Sequence, residues 1–261
     1  MFGASLSRLS ALVAITVAVL ACNNAESNEM ASTTDTADAM GGDAMGGDAM
    51  AATDAMGASG ATGTVEYTVV VKSRWTRGNH PFEYPSAGAL TGPHFSGVIG
   101  VAHDSSYAIF REGTPPTPGL ENLSETGRHA PLDAEIRAAT QRGAAATLFE
   151  TGPLRDFGDS LVTTVRVDER HPLVSLVAMV APSPDWFTGA SSVNLVENGQ
   201  WVTSRTLELN AYDSGGDEGT TYKAPDRDTN PKKPTSVADT RHFRVNGALV
   251  PVATAEFVRN R

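Results

Sequence analysis

Met179-Val180-Ala181-Pro182-Ser183-Pro184-Asp185-Trp186-Phe187-Thr188-Gly189 decides how this chain is read, together with Tyr212-Asp213-Ser214-Gly215-Gly216-Asp217-Glu218-Gly219. Each stretch places a carboxylate in a loop just after an apolar, strand-like run. Leu173 to Val180 reads Leu-Val-Ser-Leu-Val-Ala-Met-Val, a buried strand closed by two prolines. Val202 to Leu209 alternates more evenly, as a half-buried strand does. Gly215, Gly216 and Gly219 allow the second loop to fold tightly, because glycine takes positive φ at little cost. Asp185, Asp213 and Asp217 are therefore expected to converge at one end of a sheet. Three carboxylates in one pocket repel each other unless protons or a cation intervene. A hard cation with oxygen ligands fits them, calcium before magnesium, which prefers fewer protein ligands and retained water. Glu218 is the nearest further ligand. The competing reading is that these aspartates only form turns by bonding their own backbone. The spacing is not that of an EF-hand.

Working outward, Glu66 to Lys72, Phe95 to Ala102, Tyr107 to Arg111, Ala144 to Glu150 and Leu161 to Asp168 read as strands. Gly113 to Gly119 reads as a proline-rich connection and Asp226 to Ser236 as a long polar loop. Leu132 to Gln141 carries the one helical spacing, with Asp133 and Glu135 where the helix dipole favours acids. Thr240 to Val245 and Ala253 to Val258 are expected to pair as a closing hairpin across Asn246-Gly247. Many short strands with Gly/Pro turns and one short helix specify an all-β antiparallel sandwich or barrel over residues 65–261.

Ahead of that domain lie two different segments. Residues 1–22 read as an export signal: Arg8 is the positive start and Ala11 to Leu20 an apolar run short for a bilayer. The run ends Val19-Leu20-Ala21-Cys22, which resembles a bacterial lipobox, in which Cys22 is lipidated and becomes the mature N-terminus. An ordinary signal peptide with an incidental cysteine is the plainer alternative. Residues 23–64 are low in complexity, with Gly-Gly-Asp-Ala-Met repeated from Gly41 to Met50, no aromatic residue and no Lys or Arg. Such a composition buries too little apolar surface to offset ordering entropy, so it is expected to be a disordered tether.

The net charge is −10, without basic clusters, which speaks against a nucleic-acid partner. The one cysteine excludes an intrachain disulfide. His80, His94, His103, His129, His171 and His242 lack zinc spacing and read as structural histidines bonded to loop backbone, although His94 and His103 could approach across a strand pair. No Gly-x-Ser-x-Gly, Ser-x-x-Lys or His-Glu-x-x-His motif is present. Trp75, Trp186 and Trp201 are candidates for a sugar platform, or else for core packing.

The Pro-Ser-Pro-Asp-Trp-Phe-x-Gly block at 182–189, Trp201 and the Tyr-Asp-x-Gly-x-Asp-x-Gly block at 212–219 resemble the N-terminal domain of the spondins. Trp75, His80-Pro81, Tyr84-Pro85, His94-Phe95-Ser96, His103, Glu125-x-Gly127 and His171-Pro172-Leu173-Val174-Ser175 follow in the family's order, so the resemblance spans roughly 65–225. It implies a β-sandwich similar to those of calcium-dependent phospholipid-binding (C2-like) domains, with bound calcium and with Asp185, Asp213 and Asp217 as its ligands. The family's best-known members are extracellular matrix and adhesion proteins. Animal spondin domains carry cysteines in this region; here the core and the metal must act without them. The expectation is a non-enzymatic, calcium-binding interaction module, held on a bacterial membrane by a lipid at Cys22 and meeting a protein, matrix or glycan partner. The alternative is a secreted hydrolase that uses the acidic loops as its active site.

Overall fold

A computed structural model describes residues 60–86, 92–154 and 160–261. The export signal expected at 1–22, Cys22 with it, and the tether expected at 23–64, apart from residues 60–64, lie outside the described residues. No helix among the described residues is long and apolar enough to cross a membrane.

The strands are β1 (Val65–Ser73), β2 (His94–His103), β3 (Ala145–Leu154), β4 (Ser160–Val167), β5 (Leu173–Ala181), β6 (Trp186–Asn194), β7 (Val196–Glu197), β8 (Gln200–Trp201), β9 (Ser204–Leu209), β10 (Ala211–Asp213), β11 (Ser236–Val237), β12 (Arg244–Val245), β13 (Ala248–Leu249) and β14 (Ala253–Arg259). Helices α1 (Pro118–Thr126) and α2 (Leu132–Gln141) lie between β2 and β3. A four-stranded sheet, β4-β1-β14-β9, faces a six-stranded sheet, β11-β10-β6-β5-β2-β3. Their pairings are antiparallel throughout.

The six-stranded sheet is covered on both faces, which explains the continuous apolar runs of β2 and β5. One face of β5 sends Val174, Leu176, Ala178 and Val180 into the core between the sheets, against Tyr67 and Val69 of β1 and Phe257 of β14. Val177 points the other way, into a second core with Ile99, Leu120, Leu123, Leu132 and Ile136, beneath the helices. β1 by contrast alternates, with Tyr67, Val69 and Val71 buried and Lys72 exposed, because its outer face meets water.

Three expectations are corrected. Tyr107 to Arg111 is loop: Ile109 and Phe110 are buried, but against the helical layer rather than in a ladder. A second helix follows Thr117, so the described residues hold two α-helices where one is expected. Thr117 caps α1 by accepting from the Leu120 N–H (3.2 Å), Pro118 supplies the first turn, and Gly127 closes it at φ +70°. The closing hairpin is local. Asn246 and Gly247, both at positive φ, join β12 to β13 alone, while β14 inserts between β1 and β9.

His94 and His103 sit at opposite ends of β2 and do not face each other across a strand pair. His103 is held by the Asp104 carbonyl (2.7 Å) and the Ser175 hydroxyl (2.7 Å). His80 is fully buried, its Nε2 donates to the Val250 carbonyl (3.1 Å), and its Nδ1 has no partner among the described residues. Burial holds its pKa below the ordinary value. The unfolded chain therefore takes up a proton near pH ~6.5 that the folded chain refuses, so the His80 contribution is intact above that pH and is lost as pH falls below it. Melting temperatures followed from pH 8 to 5 are expected to fall more steeply in the wild type than in His80→Gln, whose amide keeps the Val250 bond. Parallel slopes would show that His80 contributes nothing to acid sensitivity.

Candidate metal centre

Asp185 occupies the turn between β5 and β6, and Asp213 ends β10. β10 pairs antiparallel with β6, setting Asp213 opposite Trp186 and one residue from Asp185. The glycine-rich loop then folds back over Asp185. Its Oδ2 accepts from the Ser214 hydroxyl (2.9 Å), the Gly216 N–H (2.8 Å) and the Asp217 N–H (3.1 Å), while the Asp185 carbonyl accepts from the Ser214 N–H (3.2 Å). Gly215 permits this return at φ +86°, and a Cβ there would meet the Lys233 carbonyl at 2.2 Å. The two loops thus meet, and Asp185 is the post around which the second one winds.

The three aspartates differ in what their oxygens do. Asp185 is 0% exposed, and its Oδ1 accepts no hydrogen bond from any described residue. Burial pushes its carboxyl above the usual range, against the pull of the three donors on Oδ2, with Asp217 adding repulsion. Asp213 Oδ1 accepts from the Gly215 N–H (2.9 Å). Burial first, then the Asp185 charge, push the Asp213 carboxyl up to about 6. Asp217, 4% exposed, accepts from the Gly219 N–H (2.6 Å) through Oδ1 and from the Arg227 N–H through Oδ2, which is the turn-forming pattern. Glu218 turns outward to Arg227 (3.3 Å) and is not part of the cluster.

A further carboxylate joins from α1. Glu121 and Glu125 stand one turn apart on the same helix face. Glu125 Oε1 is buried without a hydrogen-bond partner among the described residues. Burial, then Glu121, Asp228 and Asp185, push its carboxyl up to about 7, with Lys232 opposing. A Cβ on Gly216 would meet this same oxygen at 3.1 Å, so Gly216 neighbours Glu125 on one side and donates to Asp185 through its N–H. Sequence reading missed Glu125 because its helix was not recognised; the Thr117-Pro118 cap and the four-residue spacing of the two glutamates were the available signals.

The tryptophans form no platform. Trp75 and Trp186 are fully buried and Trp201 nearly so. Trp186 packs on Tyr222, His242 and Phe243 with ring centroids 5.1–5.5 Å away, and so fixes the start of β6 beside Asp185.

Comparison with known proteins agrees with this architecture. Residues 65–245 match the Spondin_N family. The chain is 30% identical to rat Spondin-2 over 207 residues, 75% of this chain and 62% of that protein. Human Spondin-2 is likewise 30% identical, over 213 residues, 77% of this chain and 63% of that protein. Bovine Spondin-1 is 28% identical over 186 residues, 66% of this chain but 22% of that protein. The chain therefore spans under two thirds of the length of these relatives.

Proposed function

This chain belongs to the Spondin_N family, and on that premise we propose that its acidic centre binds a calcium ion fastening the glycine-rich loop to the β5–β6 turn of a non-enzymatic, exported interaction module. The observation that carries this reading is Asp185 Oδ1, wholly buried and without a donor beside an Oδ2 that has three. Leaving a buried charged acceptor unsatisfied costs about 1–3 kcal/mol or more. Asp213 and Glu125 add charge that burial disfavours, and a hard dication offsets two of the three negative charges. Asp185, Asp213 and Glu125 would hold the ion, with Asp217 free to add a remaining lone pair; no three of these four offer oxygens within 4.8 Å of one another in the metal-free chain, so binding would have to draw them together. All these donors are oxygens, which suits calcium rather than zinc. When bound, the ion supplies charge compensation and cross-links the two loops.

The hydrolase reading has less support. Asp185 and Asp217 are closed over by protein, and a substrate needs an open cleft at its carboxylates. The open cavity beside the loop, about 240 Å³, is lined by Glu218, Thr220, Thr221 and Arg227 among others, not by Asp185 or Asp213.

Melting curves of metal-stripped protein with calcium and with chelator test the calcium reading. Ligand at a hundredfold excess over its Kd is expected to stabilise by about 2.7 kcal/mol. Equal curves would overturn it. We further propose that the chain is tethered to a bacterial envelope through a lipid on Cys22, where it meets a protein, matrix or glycan partner. Mature protein should then carry an acylated N-terminal cysteine by intact mass, and Cys22→Ser should be released or misprocessed; an unmodified mature chain starting elsewhere would refute the tether.

A further inference from the structure

The acidic centre is already approached by a cation belonging to the protein itself. The 226–235 loop lies along the glycine-rich loop, with Glu218 N–H donating to the Arg227 carbonyl (2.9 Å), Thr229 N–H to Gly216 (2.8 Å) and Lys233 N–H to Gly215 (2.9 Å). This ladder delivers Lys232. Its ammonium lies 2.5 Å from Glu121 Oε1, 3.1 Å from the Gly216 carbonyl and 3.8 Å from Asp228 Oδ1. Glu121, Glu125 and Asp228 offer oxygens within 4.8 Å of one another, the one such grouping of metal-ligand spacing among the described residues.

Gly216 joins this grouping to Asp185. Its N–H donates to Asp185 Oδ2, its carbonyl accepts from Lys232, and Glu125 Oε1 lies 3.1 Å from where a Cβ on it would stand. The ammonium, however, satisfies only part of the centre. Lysine has three donors, whereas calcium gathers six to eight oxygens. Glu125 Oε1 and the fully buried Asp185 Oδ1 remain without a donor while Lys232 is in place.

We propose that Lys232 is a tethered counter-cation that competes with divalent metal for the acidic centre and so sets its metal affinity. The inference rests on the calcium reading above and adds the residue that tunes it. An ammonium in contact with Glu121 compensates negative charge beside Glu125, one of the carboxylates that would hold the ion, and it repels a dication placed there. Metal uptake then requires the ammonium to withdraw, loosening the 226–235 loop from α1. In the metal-free protein the same contact ties that loop down.

Calorimetric titration with calcium alone, on metal-stripped full chain, tests this with Lys232→Met and Lys232→Arg. Lys232→Met is expected to bind calcium at least about tenfold more tightly than wild type, as loss of one nearby positive charge implies, and to melt lower when metal-free. Lys232→Arg should stay near the wild-type affinity. If Lys232→Met does not fold, Lys232→Gln gives the same comparison with a polar, uncharged side chain. Folded variants whose affinity equals or falls below that of a calcium-binding wild type would overturn the proposal, leave the calcium reading standing and reduce Lys232 to a structural strap. If neither wild type nor the uncharged variants bind, both readings fall. Binding by the uncharged variants alone would uphold competition and show the wild-type centre to be held by its lysine.

Discussion

Asp185→Asn is expected to leave the metal-free melting temperature unchanged or slightly raised, and to remove most of the calcium-induced shift. The amide oxygen can take the place of Oδ2 and accept from Ser214, Gly216 and Asp217, so the loop keeps its post. The amide nitrogen then occupies the position of Oδ1, where no donor is lost because none is present. Burial disfavours the Asp185 charge, so removing it relieves the metal-free state. The same exchange turns a ligand into an N–H group aimed at the ion and deletes the charge that offsets metal dehydration. At a hundredfold excess of calcium over the wild-type Kd, the lost stabilisation is about 2.7 kcal/mol, or about 5–10 °C for a domain of this size. Asp213→Asn should weaken the shift in a graded way. Asp217→Asn should act mainly on the metal-free protein, because it disturbs the carboxylate that accepts from Gly219 and Arg227. A wild-type calcium shift in Asp185→Asn would show this aspartate to be a turn residue alone, and the two-loop centre would have to be abandoned.

What was legible in the sequence follows from how far each signal reaches along the chain. The run at 173–180 and the Pro-Ser-Pro-Asp-Trp block lie within a few residues of each other, and they specify β5, its turn and the start of β6. Helix α2 matches its reading at 132–141 because Leu132, Ile136 and Ala139 repeat at helical spacing and are buried. Residues 107–111 misled because an apolar run is the same whether it enters a ladder or is buried beneath helices; its neighbours decide, and they are remote in sequence. The partners of β14 are set by β1 and β9, so pairing it with its nearest neighbour failed where Asn246-Gly247 could specify only a two-residue turn. Of the acidic centre, the meeting of the two aspartate loops was readable from glycines and strand ends. The helix that carries Glu125 was legible in its Thr117-Pro118 cap, but its approach to Gly216, like that of Lys232, was not, since each comes from a separate element that only tertiary packing brings there.

Trp186→Ala is expected to lower stability by about 3–5 kcal/mol, the usual cost of truncating a fully buried large aromatic, or about 6–20 °C. The indole is 0% exposed and lies against Tyr222, His242 and Phe243, so its loss opens a cavity that three other rings must collapse to fill. Trp186→Phe should retain much of that stability. Calcium should still raise the melting temperature of the truncated protein, by less than in the wild type, because no ligand is removed but the Asp213–Trp186 strand pairing that sets the two loops together is less firmly held. A solvent-exposed tryptophan serving a sugar would give the opposite pattern: truncation would change stability by no more than about 0.5 kcal/mol. Adjacent residues 185 and 186 thus separate two functions of one turn. Asp185→Asn should erase the metal response while leaving the fold, whereas Trp186→Ala should weaken the fold while leaving a metal response. If the tryptophan variant melts like the wild type, the aromatic nest does not position the centre, and the acidic loops must be held in place by their own hydrogen bonds.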